Sequence, residues 1–284
     1  MAAPYPQVVL FGDSLFQGAA PLQDGFSLQA ALQAHCIRRF DVVNRGLAGY
    51  NTSQALRVLP SIIPAPPPAA AASYTPTLAY FVVLLGANDA ALPTKELNQH
   101  VDMEEYAANL RAILTHPHVQ AYKPGKILVV TPPPVDGIRL GEYERLTEGP
   151  PDAAASRQAR ITAAYAETAR RVAKSVPGAV VVDLWKALMD VAVARTPGFD
   201  PAANGGLLLG DEEGGQQGYL TQLLTDGLHL SGEGYRILFE ELRAHIEPEH
   251  PNKKNDDDTA EGWVYAEWRK APWHEKDKQH AKEE

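Results

Sequence analysis

Cysteine, long apolar segments and clustered positive charge are all scarce in this chain of 284 residues. Its single cysteine, Cys36, excludes an intramolecular disulfide framework, and its position in a predicted amphipathic helix indicates a buried thiol. No segment approaches the roughly 20 apolar residues of a membrane-spanning helix. A net charge of −9 argues against nucleic-acid binding, which needs clustered lysine and arginine. Since residues 1–7 also lack the basic and apolar segments of a secretory signal, we expect a cytoplasmic protein.

The chain does contain five apolar segments of strand length, and segments with helical spacing follow them. This alternation predicts an α/β fold whose five-stranded parallel sheet is covered by helices on both faces. The predicted strands are 8–11, 40–44, 78–85, 126–131 and 179–184. The main predicted helices are 27–39, 55–63, 103–114, 157–174, 185–193 and 235–246.

We predict one domain over residues 1–247 and a separate tail over residues 248–284. The tail is rich in charge and contains three of the four tryptophans. The tail can be disordered, pack on the domain or contact another subunit, so a homodimer is one of the assemblies that the sequence allows. Within the domain, the Pro/Ala-rich segment 64–76 is predicted to be a surface loop, and the Gly-rich segment 198–218 to be the rim or lid of a site.

Residues whose polar groups could take part in catalysis follow three of the predicted strands and precede the last helix. Ser14 comes after the first strand, Gly49 after the second and Asn88 after the third. Asp226 and His229 precede the last helix. The carboxyl ends of parallel strands meet at one edge of a sheet, and ligands bind there in open α/β folds. We therefore expect these five residues to lie close together.

These residue types fit nucleophilic catalysis at an acyl group. A serine hydroxyl such as that of Ser14 is a weak nucleophile until a base takes its proton, and histidine suits that task near neutral pH. His229 is the candidate base, and Asp226, three residues earlier, can hold its imidazole in one tautomer. Three candidate donors to an oxyanion are the backbone N–H groups of Ser14 and Gly49 and the side-chain amide of Asn88.

Simpler interpretations of the same residues stay open at this point. Ser14 can be no more than part of a helix cap, because a strand followed by Gly and a capping residue is common in α/β proteins. Asn88 can belong to an Asx turn, and Gly49 can serve only the backbone conformation. Asp183, at the end of the fifth strand, competes with Asp226 as the partner of the histidine.

Four segments, in their order along the chain, resemble the sequence blocks of the GDSL/SGNH hydrolase family. The resemblance implies a flavodoxin-like three-layer α/β/α sandwich without a metal ion or organic cofactor. It implies that Ser14 is the nucleophile, Asp226 and His229 complete the triad, and Ser14, Gly49 and Asn88 form the oxyanion hole. The four segments are Gly12-Asp13-Ser14-Leu15, Gly46-Leu47-Ala48-Gly49, Gly86-Ala87-Asn88-Asp89 and Asp226-Gly227-Leu228-His229.

Within that family, residues 44–52, 85–90 and 231–235 resemble the isoamyl acetate-hydrolysing esterases. This resemblance implies an intracellular esterase that cleaves short- to medium-chain carboxylic esters through an acyl-enzyme on Ser14. A lysophospholipase, a thioesterase or a carbohydrate acetylesterase on the same fold is the alternative. A nucleotide-binding module is disfavoured, because residues 12–18 match neither a P-loop nor a G-x-G-x-x-G motif. The expected partner is a small-molecule ester.

Overall fold

Five parallel strands form a single sheet in the computed structural model, which describes residues 5–68, 75–93, 99–147, 154–246 and 263–264. Their order across the sheet is β2-β1-β3-β4-β5, and each neighbouring pair is parallel. This order is that of flavodoxin-like folds. The prediction of a five-stranded parallel sheet is confirmed. The strands are β1 (Gln7–Gly12), β2 (Asp41–Gly46), β3 (Leu78–Leu84), β4 (Lys126–Val130) and β5 (Ala179–Val182).

Helices connect the strands and close the domain. Those in the described residues are α1 (Ser14–Gln17), α2 (Leu28–His35), α3 (Thr52–Ile62), α4 (Met103–Leu114), α5 (Pro117–Ala121), α6 (Gly137–Thr147), α7 (Ala159–Ser175), α8 (Leu184–Ala194), α9 (Leu220–Leu223) and α10 (Gly232–Arg243). The sequence did not predict α1, α5, α6 or α9. Three of these have only four or five residues, too few to show helical periodicity.

The two faces of the sheet carry two separate hydrophobic cores. Along β1, Val8 and Leu10 belong to the core under α2, α8 and α10, whereas Val9 and Phe11 belong to the core under α3, α4 and α7. Successive side chains of a strand point to opposite faces, so a strand buried on both faces is apolar throughout. The fold is therefore the predicted three-layer α/β/α sandwich.

The carboxyl end of β1 lies at the centre of the sheet, where the chain turns sharply into α1. A Cβ atom on Gly12 would lie 2.3 Å from the carbonyl oxygen of Leu84 in the neighbouring strand, so a glycine is required at this turn. The chain goes from β1 to β2 on one side of it, and then crosses back to β3 on the other side of β1. Such a reversal of strand order opens a crevice at the carboxyl edge, where ligands bind in α/β folds.

Only Trp263 and Val264 of the predicted tail 248–284 lie within the described residues. The guanidinium carbon of Arg38 lies 3.9 Å from the centre of the Trp263 ring, and the Val264 N–H donates to the carbonyl of Arg38 over 3.0 Å. The domain boundary at residues 247–248 stays a prediction. Much of the predicted Pro/Ala loop also lies outside the described residues, since 69–74 are not among them.

Two smaller expectations can be compared with the structure. Cys36 follows α2 and is buried, as predicted, and burial raises the pKa of its thiol to about 11. Within the part of the chain that the structure describes, no helix combines the length and the apolar character needed to cross a membrane.

Candidate active site

Ser14 is the first residue of α1 and is separated from the end of β1 by a single residue, Asp13. The carboxylate of Asp13 caps this short helix, because its Oδ1 accepts the N–H of Leu15 over 2.9 Å. The helix cap that the sequence also allowed at this position is therefore present, and Asp13 provides it. The side chain of Ser14 makes its contact elsewhere, with the loop before α10.

His229 and Asp226 lie in that loop, in a tight turn held by the aspartate itself. Oδ1 of Asp226 accepts the backbone N–H groups of Leu228 and His229 over 2.9 and 2.8 Å. Oδ2 of Asp226 lies 2.6 Å from Nδ1 of His229. Gly227 adopts a φ of +93°, and a Cβ atom there would lie 2.5 Å from the carbonyl oxygen of Asp136.

The imidazole of His229 joins this turn to Ser14. Nε2 of His229 lies 2.9 Å from Oγ of Ser14, although the two residues are 215 positions apart in the sequence. Carboxylate, imidazole and hydroxyl thus form one continuous hydrogen-bonded line. Such a line can pass a proton from the hydroxyl to the imidazole and hold the resulting positive charge beside a carboxylate.

Asn88 follows β3 and is buried, and its side chain bridges two other segments. Its Nδ2 donates to the carbonyl of Tyr50 over 2.9 Å, and its Oδ1 accepts from Nη2 of Arg157 over 2.9 Å. A carbonyl can only accept and a guanidinium can only donate, so these two contacts determine which way the amide faces. The side chain of Asn88 is therefore more than the local Asx turn that the sequence also allowed.

Gly49 lies in the loop between β2 and α3 with a φ of +80°, a conformation that favours glycine. Its carbonyl accepts from Nε2 of Gln99 over 3.0 Å. Gly49 therefore meets the backbone requirement that the sequence allowed, and it also borders the same cavity as Ser14 and Asn88.

A cavity of about 300 Å³ opens over Ser14. Its wall is mixed, with a few apolar side chains opposite several amide and charged groups. The residues that line it are Ser14, Ala48, Gly49, Asn88, Gln99, Leu140, Tyr143, Glu144, Arg157, Asp226, Leu228 and His229. All five residues singled out from the sequence are among them.

The Gly-rich segment 198–218 does not line this cavity in the described structure, so the expectation that it forms the rim is wrong. It instead packs behind α6, which does line the cavity. The carbonyl of Gly210 accepts the N–H of Gly137 over 2.8 Å, and Gln217 donates to Oδ2 of Asp136 over 3.1 Å. The segment supports the wall from outside.

Burial and hydrogen bonding shift the pKa values of the acidic and basic groups in this site. Burial alone would raise the pKa of Asp226, but the hydrogen bonds from His229 and Leu228 lower it to about 2. The hydrogen bond to Asp226 raises the pKa of His229 above its usual value, against the effect of burial. Burial raises the pKa of Asp13, beneath the site, to about 7.

Asp183, the alternative partner for the histidine, forms an ion pair with Arg170 instead. Its two carboxylate oxygens accept from Nε and Nη2 of Arg170, each over 2.8 Å, and Oδ1 caps α8. Burial would raise the pKa of Asp183, but these hydrogen bonds keep it below its usual value.

Sequence reasoning missed several residues of this site, chiefly Arg157 and Gln99. Arg157 was predicted only as the first residue of a helix, and it lies just before α7 in the structure. An arginine beside a helix start is usually exposed, so no local signal marks this one as buried. Tyr143 and Glu144 were missed together with α6, because the buried residues of that helix are Gly137, Leu140 and Gly141.

A family model for GDSL-like lipases and acylhydrolases matches residues 10–237 of this chain. The chain belongs to the GDSL-like lipase/acylhydrolase family. The recognition of GDSL/SGNH blocks in the sequence is thereby confirmed. Among the described residues of this GDSL-like hydrolase, no three His, Cys, Asp or Glu side chains are grouped as a metal ion would require.

Similar proteins of known name are esterases. A Bos taurus protein named isoamyl acetate-hydrolyzing esterase 1 homolog is 30% identical over 243 residues, 86% of this chain and 82% of the relative. The isoamyl acetate-hydrolyzing esterase of Saccharomyces cerevisiae is 28% identical, over 87% of this chain and 88% of the relative. Similarity to these relatives confirms the predicted class of enzyme, a carboxylic ester hydrolase.

Solved structures with a similar fold include a lipase/acylhydrolase from Enterococcus faecalis, with a TM-score of 0.51 and 20% identity over 87% of this chain and 100% of that one. An acetylxylan esterase from Geobacillus stearothermophilus, solved as a catalytic mutant, has a TM-score of 0.53 and 19% identity, over 89% of this chain and 99% of that one. These likenesses support the fold of the GDSL-like hydrolase.

Proposed function

We propose that this GDSL-like hydrolase cleaves short- to medium-chain carboxylic esters, acetate esters included, through an acyl-enzyme on Ser14. The observation that carries the proposal is the line from Asp226 through His229 to the Ser14 hydroxyl, with contacts of 2.6 and 2.9 Å. The substrate class is supported by the names of the bovine and yeast relatives.

In the first half of the reaction, Nε2 of His229 takes the proton of the Ser14 hydroxyl as Oγ bonds to the ester carbonyl carbon. The carbonyl oxygen becomes an oxyanion, which accepts from the backbone N–H groups of Ser14 and Gly49 and from Nδ2 of Asn88. The carbon–alkoxy bond then breaks, His229 gives its proton to the departing alcohol, and the acyl group stays on Ser14.

The second half uses water in place of the alcohol. His229 takes a proton from the water as its oxygen attacks the acyl carbon, and the same three donors hold the oxyanion. When this intermediate collapses, the bond to Ser14 Oγ breaks and the proton returns to that oxygen, which frees the carboxylic acid. Asp226 stabilises the protonated imidazole in both halves without taking the proton itself.

The cavity supports a small substrate. Its volume of about 300 Å³ lies at the lower end of the range for small-molecule sites, roughly 300–1,000 Å³. Leu140 and Leu228 offer an apolar surface for a short acyl or alkyl group, whereas Gln99 and Glu144 can bind hydroxyl groups. That polar side supports a second candidate substrate class, acetylated carbohydrates.

The test uses the full-length protein with p-nitrophenyl esters of increasing acyl length, an acetylated sugar and a lysophospholipid. We expect turnover of the acetate ester, lower kcat/KM for long chains and covalent labelling of Ser14 by a fluorophosphonate. Ser14→Ala should lose both turnover and labelling, whereas Ser175→Ala, at the exposed end of α7, should keep both. Full activity in Ser14→Ala would refute the proposal.

Two further statements from the sequence stay untested, namely the prediction of a cytoplasmic location and the open alternative of a homodimer. Cell fractionation tests the first, and light scattering of the purified protein tests the second. Neither outcome changes the chemistry proposed for Ser14.

A further inference from the structure

We propose that Arg157 is a positioning residue that holds two oxyanion donors, Asn88 and Gly49, in their working orientation. The inference rests on the proposed function, because it assigns a role to a residue that would act through that oxyanion site. It starts from an unusual feature of the cavity wall. Arg157 carries a charged guanidinium group, yet only 6% of the residue is exposed.

The guanidinium of Arg157 meets four acceptors from three segments of the chain. Nε donates to the carbonyl of Ala87 over 2.8 Å, and Nη1 donates to Oγ of Ser156 over 2.8 Å. Nη2 donates to Oδ1 of Asn88 over 2.9 Å and to Oε1 of Gln99 over 2.8 Å. Arginine has five N–H donors in a rigid planar fork, so a side chain used in this way has little freedom left.

The contact with Asn88 decides which end of the carboxamide faces the substrate. If the amide turned over, its NH₂ group would face the guanidinium, and two donors would oppose each other in a buried place. Arg157 therefore keeps Nδ2 on the cavity side. One hydrogen of Nδ2 goes to the carbonyl of Tyr50, and the second can go to a substrate oxygen. A cationic donor on Oδ1 also polarises the amide and strengthens the bond that Nδ2 can donate.

The contact with Gln99 extends the same support to the second donor. Arg157 holds Oε1 of Gln99, which turns Nε2 toward the carbonyl of Gly49, 3.0 Å away. The backbone of Gln99 is held in turn, because its carbonyl accepts from Nδ2 of Asn51 over 3.0 Å. Gly49 has no side chain to fix its backbone, so this hydrogen bond restrains the peptide that follows its N–H group.

Glu144 and Ser156 hold Arg157 from the far side. The carboxylate of Glu144 accepts from both the N–H and the hydroxyl of Ser156, and that hydroxyl accepts from Nη1 of Arg157. The chain of contacts runs from α6 through Arg157 to the ends of β3 and β2. One cation thus joins the two loops that would hold the oxyanion.

The test measures kcat and KM for p-nitrophenyl acetate in Arg157→Met, with active sites counted by a fluorophosphonate so that unfolded protein does not contribute. We expect kcat and kcat/KM to fall in parallel by roughly 10–100-fold, because the lost interaction acts in the transition state. The matched control is Arg170→Met, which removes an arginine of α7 remote from the cavity. It should lower the melting temperature and leave kcat per active site unchanged.

A double-mutant cycle distinguishes positioning from an independent effect. In an Asn88→Ala background the main target of Arg157 is gone, so Arg157→Met should cost about fivefold less than it does in the wild type. If the full cost persists in that background, or if Arg157→Met keeps wild-type kcat while Ser14→Ala is inactive, the proposal is overturned. Activity that survives Ser14→Ala would instead refute the proposed function.

Two further variants keep the test decisive if Arg157→Met does not fold. Arg157→Lys retains the charge but cannot reach all four acceptors, so we still expect a several-fold loss of kcat. Gln99→Met removes only the contact that restrains Gly49. It should lower kcat and kcat/KM in parallel, by a smaller factor than Arg157→Met. Wild-type kcat in both variants would overturn the proposal.

The pH profile gives a readout that a purely structural role would not change. Asp226 and Asp13 raise the pKa of His229, and the charge of Arg157 lowers it. The acid limb of kcat/KM should therefore move to higher pH in Arg157→Met and stay in place in Arg157→Lys. An unmoved limb in Arg157→Met would contradict the placement of this cation beside the site.

Discussion

Asp226 holds both the ring and the backbone of His229. Its Oδ2 lies 2.6 Å from Nδ1 of the imidazole, and its Oδ1 accepts the backbone N–H of the same residue over 2.8 Å. The turn therefore closes on the carboxylate, and the tautomer of the ring is determined together with its position. Nδ1 carries the proton, which leaves Nε2 free to accept from Ser14.

Asp226→Asn should separate these two tasks. The carbonyl oxygen of asparagine can still accept the backbone N–H groups of Leu228 and His229, so the turn survives. Its NH₂ group, however, would donate to Nδ1 and force the proton onto Nε2, which then cannot accept from Ser14. We expect kcat to fall roughly 10³–10⁴-fold with little change in melting temperature, measured by ester turnover and circular dichroism.

The control for that experiment is Asp183→Asn, which changes an aspartate that pairs with Arg170 instead. It should lower stability and keep kcat within about twofold, since a weakened ion pair costs on the order of 1 kcal/mol. An Asp226→Asn variant with more than a tenth of the wild-type kcat would contradict the role of the carboxylate.

The pH dependence of turnover should follow the ionisation of His229. The hydrogen bond to Asp226 raises the pKa of the imidazole above its usual value of 6.5, and only the neutral ring can take the serine proton. We therefore expect kcat/KM to rise with pH, with a midpoint above 6.5. Initial rates measured from pH 5 to 9 would show this, and a midpoint below 6 would contradict it.

The parts of the site that stand at strand ends are readable from sequence, because the sheet is buried on both faces. Residues 78–85 are almost continuously apolar, and the first polar side chain after them is Asn88. The apolar segment thus marks both the buried strand and, at its end, the first candidate site residue. A shared sheet edge then brings Ser14, Gly49 and Asn88 together without any knowledge of packing.

The contacts of Arg157 are not readable in this way. The residue meets Asn88 across 69 positions of sequence, and this contact depends on how α7 packs against β4 and β5. The part of the cavity wall formed by α6 cannot be predicted from the sequence for a different reason. Glycine supplies two of the three buried residues of that helix, so close backbone packing replaces the apolar stripe that periodicity detects.

Asp13 should make the stability of the protein depend on pH. It is fully buried, its pKa is about 7 against 3.8 for the free side chain, and its protonated form is the one that folding favours. This contribution is complete below about pH 4 and is lost as pH rises through 7. Relative to Asp13→Asn, the free energy of unfolding of the wild type should fall on the order of 4 kcal/mol between pH 4 and 8.

Urea denaturation of both proteins at several pH values tests this difference, and the titrating groups that do not interact with Asp13 cancel in the comparison. Parallel curves of unfolding free energy against pH would show that the native carboxyl titrates as it does in the unfolded chain. Turnover of the variant measured in the same series would show whether the buried acid also affects Ser14, the next residue.

Gly46 should prove essential for the placement of Ser14, although it lies outside the cavity. A Cβ atom at the end of β2 would lie 2.0 Å from the backbone nitrogen of Gln17 and 2.5 Å from the carbonyl carbon of Phe16. Both atoms belong to α1, whose first residue is Ser14, and backbone cannot give way as a side chain can. Gly46→Ala must therefore displace α1 or separate it from β2.

We expect Gly46→Ala to lower kcat more than about tenfold, since a displacement of about 1 Å at a catalytic group can cost 10²-fold, and to lower the melting temperature as well. Gly178→Ala is the matched control. Gly178 has a φ of +80° and nothing within 4 Å of the added Cβ, so its cost is backbone strain alone, about 1–2 kcal/mol, without loss of kcat. Equal kcat in the two variants would mean that the contact between β2 and α1 does not position the serine.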